Sequence, residues 1–406
     1  MDATAEKPSV GRLSLRVSDL GDYLLTGLVV FYSSVWSLYT SANGNTALRW
    51  AVPLLTVLIL WRCRRIPARL WHRVAVLGAY LAVYLLATRY NGVRFVLYYA
   101  LPLLLLMLYV GWMGDGCTAL LKKLSDWVVA LTAVSLVLFT FGTVLGWLPV
   151  QTATFYWGES WRTCPTYFHL YYEAQRISFF GLDLPRNCGV FPEAPGFAAF
   201  LVVATAVEVL LCRPRRWRWG ALVAATVTTF SAKALILTAA IFFLRYVLWA
   251  PRGWFAHRVR VVALPAVGVA FAALAAVLLW DKLNSISGGM RLDDVLACLK
   301  AFRTAPLFGT GYWNDASIVP YFAYAQRYNN GLSMGAAVIL AQGGVYLSRL
   351  YWWAPLRCAF RMRTRQGWAA FALVYVALLL TGNMVYHFLT LLLIAVFSAV
   401  GREKVT

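Results

Sequence analysis

Arg186, Glu193, Lys233, Arg291, Asn330 and His387 lie far apart in an otherwise apolar chain. Ionisable groups at the depth of a membrane are costly, so each invites a functional reading. Arginines, a lysine, a carboxylate and a histidine around one cleft suit an anionic ligand with a reacting hydroxyl. Guanidinium groups hold oxyanions through a rigid fork, and a carboxylate or imidazole can take the hydroxyl proton. Each residue also has a plainer reading. Glu193, in "RNCGVFPEAPGFAAFL" at 186–201, falls in the first turn of a helix begun near Pro192, where the macrodipole favours a carboxylate. Lys233 can snorkel to headgroups, and Arg186 can bind a lipid phosphate. Arg291 can pair with Asp293 or Asp294, and Asn330 can cap a helix starting at Gly331. His387, about one turn inside the last apolar run, can be a hydrogen-bonded core histidine. Arg303 and Asp315 read as solvated loop residues.

The elements that must position these groups are set by composition. Of 406 residues, 61% are hydrophobic and only 13% charged, about half the charged fraction of a soluble domain. This argues for a single all-α, polytopic membrane domain over 1–406 and against a soluble enzyme. The first 20 residues are polar and no cleavage-site pattern follows the first apolar run, so no signal peptide is expected. The net charge of +21 does not point to nucleic acid. It is gathered in short blocks between apolar runs: "RCRRIPARLWHR", "CRPRRWRW", "RGWFAHRVR" and "RCAFRMRTR". Such blocks mark cytoplasmic loops.

Parity then orders the chain. With the N-terminus inside, spans are expected near 22–40, 47–61, 73–88, 93–112, 126–146 and 193–211. The stretch 219–250 lies between two basic blocks, so it must cross twice, as short spans near 219–231 and 234–250 meeting at "SAK". Spans near 261–280, 332–353, 367–381 and 384–400 bring the total to about twelve, with both termini cytoplasmic. Two long segments, 147–192 and 281–331, then face outward, and loops of that length hold structure or function. In the second, Leu292, Val295, Leu296, Leu299 and Phe302 share one helical face opposite Asp293 and Lys300. That pattern predicts an amphipathic helix at the membrane surface or roofing a cavity. Pro306, Gly309 and Gly311 mark tight turns. The seven cysteines show no metal or redox spacing; Cys164 and Cys188 share the first outer segment and could pair in an oxidising compartment. No internal repeat is visible, which weakens a pseudo-symmetric transporter.

Four ordered blocks resemble a known family. "RNCGVFPEAPGFAAFL" is similar to the R-x-x-G, F-x-E-(A)-P segment of bacterial Wzy-type polysaccharide polymerases, members of the O-antigen polymerase/ligase superfamily. "TTFSAKALILTA" resembles that family's T-x-S segment between two short spans. "RLDDVLACLKAFRTAPLFGTGYWN" resembles its arginine, helix and P-L-F-G-x-G block, and "NNGLSMGAAVILAQGGVYL" its N-G-L…Q-x-G helix. The blocks cover about 160 residues, while the first 185 match in hydropathy alone. The resemblance implies an all-helical glycosyltransferase C-type membrane fold in the bacterial cytoplasmic (inner) membrane. It implies a glycosyltransferase that joins oligosaccharide repeat units carried on undecaprenyl pyrophosphate at the outer face, for O-antigen, capsule or exopolysaccharide, with a chain-length regulator protein as partner. The alternative within the superfamily is a ligase that moves a finished glycan to another acceptor such as lipid A core. Those ligases carry a histidine in the second large loop, and 281–331 has none. A lipid-linked glycan flippase is the rival outside the enzyme class, but it should carry charge along its midspans, which here read as nearly uncharged.

On that resemblance Arg186 and Arg291 would hold the leaving pyrophosphate, with Lys233 as a point charge, where negative charge develops. Glu193, or else His387, would be the general base, Glu193 having orientation of Arg186 as its rival role. Asn330, Gly309 and Gly311 would line the substrate site. No cofactor is expected, and Asp293 and Asp294 face different directions on a helix, so transfer without a metal ion is the expectation.

Overall fold

A computed structural model of the chain describes residues 17–39, 45–63, 65–157, 160–179, 182–212, 215–249, 286–327, 331–362 and 366–400. The protein is mostly helical. The helices are α1 Val17–Ser33, α2 Asn45–Arg62, α3 Ala68–Thr88, α4 at 92–113, α5 Cys117–Leu138, α6 Ala194–Leu211, α7 Arg216–Thr228, α8 Ala232–Phe243, α9 Ile286–Thr304, α10 Gly335–Arg361, α11 Gln366–Thr381 and α12 Phe388–Ala399. Each expected span coincides with a helix except 261–280, which lies outside the described residues. Among the described residues, three stretches are long and apolar enough to cross a membrane: Ala68–Thr88, Gly92–Val144 and Ala194–Leu211.

These helices are apolar on most of their circumference, so periodicity does not decide which of them is central. Burial does: 78% of α6 is buried against 17% of the apolar stretch of α3. Helix α6 packs against α5, α7, α8 and α11, and its small residues Ala194, Ala198, Ala199, Ala204 and Ala206 are all buried. Small side chains let helix backbones approach closely where no hydrophobic force between helices is available. Large apolar side chains such as Trp50, Leu60, Trp71, Leu86 and Trp353 point outward, as a lipid-facing surface requires.

The segment 147–192, expected to face outward, departs from the all-α expectation. It forms an antiparallel three-stranded sheet, β1 Gln151–Trp157, β2 Ser160–Tyr167 and β3 Tyr171–Tyr172, and a separate hairpin of β4 Arg176–Phe179 and β5 Leu182–Pro185. The cause is local: "QTATFYW" alternates polar and apolar residues and is rich in β-branched and aromatic types, with Ala153 and Phe155 buried and Thr152 and Thr154 exposed. Phe155, Cys164 and Tyr172 pack on Val35 and Leu38, just past the end of α1, while Tyr167 and Tyr171 pack on Leu138 and Phe139 at the end of α5. The sheet therefore caps one end of the bundle. Cys164 and Cys188 are both buried free thiols, so the pairing that their shared segment allowed is not formed.

Helix α9 covers the expected amphipathic segment, but its orientation is the reverse of a simple core-facing stripe. Leu292, Leu296 and Leu299 are exposed, while Asp293, Asp294, Ala297, Cys298 and Ala301 are buried. The two buried carboxylates explain this. Arg327 donates to Asp293 at 2.9 Å and to Asp294 at 2.6 Å, Asp293 accepts the Ala323 amide, and Asp294 accepts the Ser333 amide and hydroxyl. Satisfying two buried carboxylates outweighs burying three leucines. The expected pairing of Arg291 with these aspartates is therefore replaced by Arg327.

Candidate functional site

The site is built around two interruptions in helical backbone at the sheet-capped end. The first separates α7 from α8 at 229–231, where Phe230 adopts φ +47°. A break frees carbonyls that must find donors. Arg186 supplies them: Nε donates to the Thr229 carbonyl at 2.8 Å and Nη2 to the Phe230 carbonyl at 3.5 Å. The Asn187 amide donates to the Thr228 carbonyl at 2.9 Å, and its side chain binds Thr228 Oγ1. Asn187 Oδ1 in turn accepts the Ser135 hydroxyl and the Gly189 amide. The "RNCG" and "TTFSAK" blocks are thus two halves of one backbone repair.

Glu193 is the residue preceding α6, with extended backbone (φ −154°, ψ 148°), and its carboxylate makes no capping hydrogen bond. Glu193 occupies the N-cap position but does not cap α6 through a hydrogen bond; another residue binds the first amide. Gln175 Oε1 accepts the Ala194 amide at 3.1 Å and also Arg186 Nη1 at 3.3 Å. One amide side chain, absent from the sequence-based set, links the start of α6 to the arginine. The Glu193 carboxylate is left free of protein hydrogen bonds among the described residues.

Four of the expected site residues come together. Glu193 lies within electrostatic reach of Lys233, Arg162, Arg186 and Arg291, and Arg186 senses both Glu193 and Arg291. Burial pushes the Glu193 carboxyl up from the ordinary glutamate range, against the pull of those cations. Burial likewise lowers the Arg186 guanidinium, with the neighbouring Arg291 adding to the effect. Arg162, on β2, is a fourth cation that the sequence did not single out. Among the described residues Glu193 forms no ion pair with any of these groups, and Arg291 and Lys233 form neither an ion pair nor a hydrogen bond. Four positive groups and one negative one therefore face a common region without neutralising each other in contact. Lys233 is held against the α11–α12 linker, where a side-chain carbon at Gly382 would come within 2.7 Å of Nζ.

The second interruption is inside α10, where Gly344 takes φ +60°. Here the repair comes from the loop after α9. The Thr310 and Gly311 amides donate to the Ala341 and Gln342 carbonyls at 2.9 and 3.0 Å, and the Val345 and Tyr346 amides donate to the Pro306 and Leu307 carbonyls at 3.0 and 2.9 Å. Gly309 (φ +72°) is required by the contact: a side-chain carbon there would sit 2.4 Å from the Gln342 carbonyl. Gly309 and Gly311, expected to line substrate, are built into this backbone splice. Asp315, expected to be solvated, accepts Gln342 Nε2 at 2.7 Å. Helix α10 begins at Gly335 and not at Gly331; Asn330 lies outside the described residues.

His387 is not part of the charged group. It precedes α12, its ring meets Tyr32 edge-on at 5.4 Å, and its Nδ1 is buried without a hydrogen bond among the described residues. Tyr99, Tyr312, Tyr351, Tyr386 and Trp313 continue the aromatic cluster beside it.

A second charged assembly, which the sequence reading did not single out, occupies the opposite end of the bundle. Asp22, at 1% exposure, binds Arg62 and Lys123, each at 2.6 Å, and Tyr109. Glu208, also at 1%, binds Lys122 at 2.7 Å, Arg218 at 2.8 Å and Ser125 at 2.6 Å. These groups tie α1, α2, α4, α5, α6 and α7 together: Asp22 accepts through both carboxylate oxygens, and Glu208 takes its three bonds on Oε1. Compared with protein-family models and with curated proteins, the chain matches none.

Proposed function

We propose that the protein is a polysaccharide polymerase that transfers a growing glycan from undecaprenyl pyrophosphate to a new lipid-linked repeat unit. The observation that carries the reading is the convergence of Arg186, Glu193, Lys233 and Arg291, with Arg162, from four separated parts of the chain. A leaving pyrophosphate gains negative charge as the glycosidic bond breaks, and fixed cations stabilise it most where water is partly excluded. Arg291 and Lys233, with no protein partner among the described residues, are the groups to meet the phosphates. Arg186 spends each of its nitrogens on the protein and acts as the pin that fixes the site. Glu193, uncommitted and pushed toward a higher proton affinity, is the general base for the acceptor hydroxyl.

The chain in this reading is a protein of about twelve spans with a glycosyltransferase C-type arrangement, seated in a bacterial cytoplasmic membrane with both termini inside and the β-capped end outside. The basic blocks between helices support that orientation. A chain-length regulator is its expected partner. The test is reconstitution of the full chain in liposomes with lipid-pyrophosphate oligosaccharide and no added metal. A ladder of lengths is expected. Glycan attached to a different acceptor would make it a ligase, and transbilayer movement without new glycosidic bonds would make it a flippase.

A further inference from the structure

The polymerase reading leaves one group of residues unused. Trp313 adopts φ +55°, a left-handed conformation that a bulky side chain takes only when the surroundings impose it. Its partly exposed indole stacks on Tyr386 at 5.7 Å and 25°, with Tyr312 edge-on to both rings at 5.9 and 4.6 Å. Its N–H donates to nothing among the described residues. Beside this pair, the hydroxyls of Tyr312 and Tyr386 and Nδ1 of His387 are buried with no hydrogen-bond partner among the described residues.

Buried polar atoms without partners are rare, and several in one contiguous cluster call for groups that bond to them. A saccharide has the matching chemistry. Its C–H face lies on an aromatic ring, and its hydroxyls both donate to imidazole nitrogen and exchange hydrogen bonds with tyrosine hydroxyls. The location fits as well. Tyr386 is four residues from Gly382, which touches Lys233, so no more than about 14 Å of chain separates the cluster from the charged site. Tyr32, in contact with His387, ends a helix whose continuation at Val35 donates its amide to Val190, between Arg186 and Glu193.

We propose that Trp313 and Tyr386, backed by Tyr312 and His387, form the subsite that holds the non-reducing sugar of the acceptor beside the pyrophosphate site. This rests on the polymerase reading and adds the acceptor-binding residues to it. The backbone strain at Trp313 then fixes the indole as a stacking platform, and the orphaned hydroxyls select a hydroxylated ligand over a lipid chain.

The test uses the full chain in lipid nanodiscs and two probes: inorganic pyrophosphate, and the lipid-free oligosaccharide released by mild acid from the host cell's own lipid-linked repeat units. Wild type should bind both. W313A should lose about tenfold in oligosaccharide affinity and keep pyrophosphate affinity within about twofold. Y386F, which retains the stacked ring and removes one orphaned hydroxyl, should lose about threefold on the sugar alone; it decides the matter if W313A fails to fold. Oligosaccharide affinity equal to wild type in Y386F and in any folded W313A overturns the subsite, as does a wild type that binds pyrophosphate but no sugar. If wild type builds a ladder while the variants bind sugar unchanged, only the subsite falls. Absence of a ladder from wild type removes the polymerase reading itself.

Discussion

Replacing Glu193 by glutamine keeps the shape and removes one charge, which separates its two possible jobs. The carboxylate lies within electrostatic reach of all four cations, so it repels any anion they bind. For like unit charges on the order of 7 Å apart at an effective dielectric of about 20, the repulsion is about 2.4 kcal/mol, and partial solvent exposure roughly halves it. E193Q should therefore bind pyrophosphate about sevenfold more tightly than wild type. Proton abstraction is lost at the same time, which should slow turnover by about 10²–10⁴-fold. Burial raises the carboxyl in the folded protein, so the acid limb of the wild-type pH–rate profile should lie above the ordinary glutamate value of about 4.3. The same shift means that the fold favours the protonated form. Its stabilising contribution is complete below about pH 4.3 and is lost as pH rises through the raised folded value, so E193Q should be no less stable than wild type at pH 7. The assays are pyrophosphate titration of the protein in nanodiscs, single-turnover ladder formation across pH, and thermal unfolding. Near-normal ladder yield from E193Q would exclude Glu193 as the base, and unchanged or weaker pyrophosphate binding would refute its position among the cations.

Other substitutions probe the scaffold. N187A removes a buried side chain that bonds Ser135, Gly189 and Thr228, and should lower stability by about 2–4 kcal/mol, read as loss of melting temperature in detergent. R327M strips both buried carboxylates of α9 of their cation and should cost about 3–5 kcal/mol; protease sensitivity within 286–333 reports it. D22N at the opposite end leaves Arg62 and Lys123 without their shared carboxylate and should lower the melting temperature while leaving pyrophosphate affinity unchanged.

Helix positions were legible from hydropathy, and the grouping of Arg186, Glu193, Lys233 and Arg291 from the parity that the basic blocks suggest. What parity cannot give is partner choice within an end. Asp293 and Asp294 lie beside Arg291 in sequence, yet they bind Arg327, which a loop brings from more than thirty residues away. Glu193 had the position of a capping carboxylate, yet Gln175 on the β-rich segment reaches the Ala194 amide first. The strands themselves were readable from the alternation in "QTATFYW", but the composition of the whole chain pointed only to helices. Asp22 and Glu208 sit one or two turns inside helices whose other residues are apolar, and a window average hides single charges of that kind.

The two backbone interruptions explain why glycines, an arginine and an asparagine recur beside the site. An apolar bundle has no water to satisfy a broken backbone, so each break needs a dedicated protein partner. At 229–231 the partners are Arg186 and Asn187; at Gly344 they are the amides and carbonyls of 306–311. Gly309→Ala tests whether the second repair is as rigid as this requires. The added carbon would lie 2.4 Å from the backbone carbonyl of Gln342, which cannot rotate aside as a side chain would, and the φ of +72° adds about 1 kcal/mol for any residue with a Cβ. Relief demands moving the loop away from α10, which breaks the hydrogen bonds that the Thr310 and Gly311 amides donate to it and displaces Trp313 just beyond them. G309A should accordingly fail to accumulate as folded protein, or fold with a melting temperature at least about 5 °C lower, equivalent to ~2 kcal/mol. A G309A protein with wild-type melting temperature and ladder length would show that the loop and α10 are not spliced through their backbones.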